Sequence, residues 1–159
     1  MDNNIQQPAP ALFATWFKPT QGRVGPEPVN HLGELRRSLA LLPEREPVYV
    51  VLARDRGLRG SVTLHMTEDR TCICYVDTLP GGIFSFCHDP DEKGPDNKIA
   101  IVGSHAQVDY IHRSWTVPRQ QGHQALEFFL LHGERDPGLN WVEQREQILS
   151  LERERAEPD

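Results

Sequence analysis

Cysteine is scarce, with three in 159 residues. An odd and small number excludes a disulfide framework. There is no run of about 18 apolar residues, so no transmembrane helix is expected. Basic residues are outnumbered, 17 Lys plus Arg against 23 Asp plus Glu, for a formal charge of −6. That excludes a phosphate-binding surface spread over the whole molecule, because nucleic-acid binders need a basic face. Catalytic motifs are missing too: there is no Gly-x-Ser-x-Gly elbow, and Pro80-Gly81-Gly82 precedes no helix carrying Lys-Ser/Thr. Residues 1–10 are polar, lack the apolar run of a signal peptide, and read as a flexible arm; the expected compartment is the cytoplasm.

The composition suits one domain. Apolar residues make up 38% and charged residues 25%, with thirteen prolines and twelve glycines to punctuate short elements. A chain of this length buries roughly two-thirds of the surface that its unfolded form exposes, so it needs no covalent or metal staple. Ala11 to Phe17 is apolar and aromatic, and reads as a first strand or a docking segment. Lys18 to Pro28, rich in Gly and Pro, reads as a loop. Val29, Leu32, Leu35, Leu39 and Leu42 fall at helical spacing and predict an amphipathic helix over 29–42.

Strand signals dominate the middle of the chain. Pro47 to Arg54, with Val48, Tyr49, Val50, Val51 and Leu52, is nearly continuous and β-branched, as in a central strand. Ser61 to Thr67 alternates, with Val62, Leu64 and Met66 on one face. Thr71 to Asp77 comes closely enough after it to pair as a hairpin. Ile83 to Cys87, Lys98 to Val102 and Gln107 to Ile111 add further strands. Pro118 suits the first turn of a second helix, with Ala125, Leu126, Phe129 and Leu130 as its stripe and Gly133 as its stop. Val142 to about Glu157 is rich in Glu and Arg and predicts a charged helical tail. The fold class is therefore α+β: a mainly antiparallel sheet of four to six strands, an N-terminal and a C-terminal helix packed on it, and the charged tail. The expected division is a domain over 11–141 and a tail over 142–159.

Few side chains suggest chemistry. Cys72 and Cys74 share one face of a strand, and Cys87-His88 lies nearby, but neither has the two-residue gap of a structural zinc site, so all three cysteines read as small hydrophobes. The seven histidines form no paired metal spacing. No catalytic residue and no metal site is assigned. The most notable polar feature is the acidic loop Asp89, Asp91, Glu92 and Asp96. It reads either as a solvated loop or as a surface presented to a basic partner, and Asp77, at a strand end, contributes from the same edge in the second reading. Trp141 comes just after a helix-stopping turn and reads as an anchor of the core.

One stretch carries a resemblance. Val117-Pro118, Ala125, Phe128-Phe129, Gly133, Arg135, Leu139, Trp141 and Glu143 resemble the C-terminal signature of immunity-protein family one of bacterial polymorphic toxin systems. The order of an N-terminal helix and then an antiparallel meander is similar as well. The chain departs from the pattern in one place: the family has Pro directly after the Arg, whereas here Asp136 stands there and Pro137 comes one later. Asp-Pro is also turn chemistry. The signature covers about a fifth of the sequence, and Phe129, Gly133, Arg135 and Trp141 read as its structural residues.

The resemblance implies a cytoplasmic antitoxin that binds and neutralises a toxin domain made by the same or a sibling cell; one characterised relative blocks a DNA-acting cytidine deaminase. The expected partner is a cognate bacterial toxin domain, with no cofactor, no direct nucleic acid and no membrane. Asp77, Asp89, Asp91, Glu92 and Asp96 are the expected toxin contacts. Two other readings are a nucleotide- or small-molecule-processing enzyme, which needs a convergent acid–base pair, and a non-enzymatic adaptor of a regulatory complex.

Overall fold

A computed structural model describes residues 11–16, 23–43, 47–54, 60–67, 69–77, 84–92, 97–102 and 108–143. The expected arm over 1–10, the tail beyond 143 and Asp96 lie outside the described residues. The described chain runs through β1 (Ala11–Trp16), β2 (Arg23–Val29), α1 (Leu32–Ala40), β3 (Val48–Ala53), β4 (Ser61–Met66) and β5 (Arg70–Val76). It continues through β6 (Phe84–Cys87), β7 (Lys98–Val102), β8 (Val108–His112), β9 (Val117–Pro118), α2 (Arg119–His132) and β10 (Trp141–Glu143). The class is α+β, and these strands pair antiparallel.

The main sheet is larger than the four to six strands that the pattern implied. Seven strands run in the order β10-β6-β5-β4-β3-β1-β2, and β9 adds an eighth beside β5. The strand at one end is β2, within the segment that its glycine and prolines marked as a loop. Proline removes a ladder donor and is tolerated at a sheet edge, and β2 is an edge strand. Its register against β1 is irregular, with Phe13 opposite Glu27 but Thr15 opposite Val24. That bulge accommodates the Gly25-Pro26 step. Lys98–Val102 and Val108–His112 pair with each other as a separate two-stranded ribbon.

The helical pattern over 29–42 begins late for a related reason. Val29 ends β2, and α1 starts at Leu32 with His31 as its cap, the imidazole Nδ1 accepting the Glu34 N–H at 3.3 Å. Glu34 reaches back to accept the Asn30 N–H at 2.9 Å, so the two residues close the helix start reciprocally. At the other end of the domain, Val142 and Glu143 are not the start of a helix. They belong to β10, where Trp141 pairs with Cys87 and Val142 with Phe86. The charge-rich composition concealed a short strand whose partner lies far earlier in the chain, a pairing with no local sequence signal.

The core lies between the sheet and α2, which touches β4 and β5. Val50, Leu52, Val62, Leu64, Met66 and Ile73 share one cluster with Leu126 and Phe129, and all are fully buried. Leu35 and Leu39 of α1 join it. Gly122 sets how close α2 comes: a Cβ there would sit 2.8 Å from Thr71 Cγ2 and 3.2 Å from Leu64 Cδ1. Both neighbours are fully buried and have no room to retreat. In an exposed helix, Gly→Ala would gain about 1 kcal/mol from propensity. Here Gly122→Ala is expected to lose about 1–3 kcal/mol instead, because the added methyl overpacks the interface. Urea denaturation of the variant checks the sign.

Candidate functional site

The stretch that ends α2 builds a small structure of its own. Gly133 has φ +70°, the left-handed conformation that closes the helix, and its N–H donates to the Phe129 carbonyl at 2.7 Å. A Cβ at Gly133 would sit 2.8 Å from Arg54 Cζ. Arg54 stands just beyond β3, and its guanidinium donates to the Leu130 carbonyl at 3.5 Å and lies 5.9 Å from the Phe129 ring centroid. A cation is therefore held at the negative end of the helix. Arg135 donates to Ser85 Oγ at 2.7 Å, which ties the turn to β6.

Asp136 organises the next turn. Its Oδ1 accepts the Gly138 N–H at 2.8 Å, and its Oδ2 accepts from Gln124 Nε2 at 3.1 Å. Its main-chain carbonyl accepts the Leu139 N–H at 3.2 Å and the Trp141 indole N–H at 2.7 Å. The residue that stands where the resembled family has proline thus makes the turn through its side chain, as aspartate does in Asx turns. Trp141 then lies on β10, half-buried, edge-on to Tyr75 at 6.1 Å, and Tyr75 is edge-on to Phe129 at 6.4 Å. Asp136 is itself only 7% exposed. Asp136→Ala removes two acceptors from a buried turn and is expected to cost about 2 kcal/mol. Denaturant melting monitored by tryptophan emission reads both the loss and the loosening of Trp141.

This turn is one wall of an open groove of about 880 Å³. Tyr75, Phe128 and Trp141 give it an aromatic surface, and Asp77, Glu134 and Glu143 bring carboxylates to it. Arg54, Arg135 and His132 bring donors. Burial pushes the Tyr75 phenol above its ordinary range, and Asp77 and Glu134 add to the rise while Arg135 opposes it. Gly133, Arg135 and Trp141 of the signature all line the groove, and Phe129 supports it from the core. Asp77, just past the end of β5, is in it as well.

The acidic loop is arranged differently. Asp89 pairs with Arg70 at 3.1 Å, and Glu92 pairs with Arg113 at 3.2 Å and lies 3.9 Å from Arg70. Arg113 also meets Asp69 at 3.3 Å. Arg70, 7% exposed, completes its fork on Thr116, donating to Oγ1 at 2.9 Å and to the carbonyl at 2.6 Å. A buried guanidinium needs such partners, so these carboxylates face inward. Asp91 is exposed, and its N–H donates to Asp89 Oδ1 at 3.1 Å. Arg70 and Asp77 stand at opposite ends of β5, which separates the loop from Asp77 by roughly 20 Å at strand rise. The described acidic residues therefore do not form one edge, contrary to the expectation that Asp77 joins the loop.

The cysteines are inert by placement. Cys72, Cys74 and Cys87 are all buried free thiols. Burial pushes Cys72 and Cys74 up to about 12 and raises Cys87 too. His88 packs against Trp115 with ring centroids 4.6 Å apart. No group of three His, Cys, Asp or Glu that could hold a metal ion occurs among the described residues. Since the thiolate is the reactive form, the folded protein at pH 8 is expected to leave all three thiols unlabelled by Ellman's reagent, and denaturant is expected to release all three. Rapid labelling of the native protein would contradict the burial described here.

Arg54, Tyr75, Phe128, Glu134 and Glu143 were not marked as site residues by the sequence pattern. Phe128 and Glu143 belong to the resembled signature, and Glu134 lies between Gly133 and Arg135; that neighbourhood was the one signal that pointed to them. Arg54 and Tyr75 come from a different part of the chain, and only the folded sheet brings them to the end of α2. No helix among the described residues is long and apolar enough to cross a membrane. No protein-family model matches the chain, and no match is found among curated proteins.

Proposed function

We propose that this protein is an immunity protein: a non-enzymatic, cytoplasmic inhibitor that binds a secreted bacterial toxin domain and covers its active site. The toxin in this reading acts on nucleic acid, as a deaminase or nuclease. One observation supports the proposal above the others. Four of the residues on which the resemblance rests, Phe129, Gly133, Arg135 and Trp141, lie together at an open, mixed-charge groove. A groove with aromatic anchors and a charged border has the anatomy of a protein interface. A standard interface buries about 1,600 Å² in total, and a domain of this size supplies half of that from one side. The enzyme alternative would place an acid–base pair at this groove instead, and the adaptor alternative would place a regulatory protein there.

The proposal also revises which acidic residues contact the toxin. Asp77 remains a contact through the groove, and Asp91 remains exposed. Asp89 and Glu92 are engaged with Arg70 and Arg113. The test is co-expression with the toxin domain encoded in the adjacent reading frame. Growth should be restored, and the two chains should co-purify with a dissociation constant on the order of nanomolar. Growth arrest despite stable expression of both chains would contradict the proposal, as would catalytic turnover by the purified protein alone.

A further inference from the structure

The charges that line the groove are not equivalent. Its two arginines have partners within the fold: Arg54 on the Leu130 carbonyl and the Phe129 ring, Arg135 on Ser85. Asp77 is engaged as well. Glu134 and Glu143 are exposed, and their carboxylates make no hydrogen bond or ion pair with another described residue, although the Glu143 main chain belongs to the β10–β6 pairing. They stand on opposite sides of Trp141 in the chain, one on the turn after α2 and one on β10. The unengaged carboxylates of the groove therefore border the aromatic surface of Tyr75, Phe128 and Trp141.

We infer that the groove receives an arginine side chain from the partner protein, with the guanidinium held between Glu134 and Glu143 and stacked against the aromatic wall. This deepens the immunity reading by naming the chemistry of the contact, and it rests on that reading for the identity of the partner. Arginine fits better than lysine. Its planar guanidinium stacks on aromatic faces and presents several donors to carboxylates at once, whereas an ammonium is a compact and strongly hydrated point charge. Cation–π attraction and the two carboxylates act on the same group. An acidic segment would meet Glu134 and Glu143 with like charge. A purely apolar one would leave both carboxylates desolvated without a partner. Nucleic-acid-acting enzymes line their substrate clefts with basic side chains, so a plug that accepts an arginine would lie over such a cleft.

The test uses the full chain and short blocked peptides, with no toxin present. The probes are acetyl-Gly-Arg-Gly-amide and the same peptide with citrulline or glutamate in place of arginine. Binding is read at low salt from the indole N–H signals of the tryptophans in a nitrogen–proton correlation spectrum. The arginine peptide should shift the Trp141 indole signal, with little change at Trp115, and the citrulline and glutamate peptides should not. Glu134→Gln with Glu143→Gln should weaken the arginine peptide about ten-fold. Both positions are exposed, and an unchanged amide spectrum away from the groove shows that the variant is folded. Equal binding of the citrulline peptide, unaltered affinity in the double variant, or shifts confined to another surface would overturn the inference.

The two experiments fail separately. If cells are rescued but the groove ignores the arginine peptide, the immunity reading stands and this contact is wrong. If the peptide binds as described but cells are not rescued, the groove chemistry stands and the partner is of another kind.

Discussion

One buried carboxylate at a turn holds the corner after α2 together. Asp136 gathers Gly138, Gln124 and, through its carbonyl, Trp141 into a single knot just after α2. With the Arg135–Ser85 and Asn140–His88 hydrogen bonds, it directs the chain from the end of α2 back to the free side of β6, where β10 forms the edge of the sheet. The groove has no separate origin. It is the space left between the end of the helix, this knot and the sheet, and its aromatic wall exists because Trp141 is pinned edge-on to Tyr75. Gly133 and Arg54 act on the same corner: one allows the reversal and the other neutralises the helix end.

A second polar cluster works the other way. Arg70 lies at the far end of β5, buried, and takes the carboxylates of the 88–92 segment inward. Burying an arginine is costly unless its donors are met, and Thr116, Asp89 and Glu92 meet them. The described part of the most acidic loop is thereby made largely structural. At the groove, the exposed carboxylates are those of Glu134 and Glu143.

How far the sequence was legible depends on the range of the forces involved. β4 and β5 were plain, because alternation and a short connection are local signals, and the two strands pair along their length. The stripe of α2 and its glycine stop were plain for the same reason. β2 was hidden by Pro26 and Pro28, whose tolerance at an edge can be judged only once the strand order is known. β10 was hidden because three residues carry no period, and its pairing with β6 is long-range. The charge of Asp89 and Glu92 is plain in the sequence, but their orientation depends on Arg70 and Arg113, which lie far from them in the chain. Gly133, Arg135 and Trp141 were named as structural residues, and the fold places them at the groove itself.

The functional account stands or falls on whether the corner after α2 is the face that engages a toxin. Hydrogen–deuterium exchange of the full chain, alone and with the toxin domain, decides it. New protection is predicted to concentrate in residues 75–77 and 128–143, with the 98–102 and 108–112 ribbon unchanged. Protection confined to that ribbon or to the 88–92 segment, with the corner exchanging as in the free protein, would contradict the account.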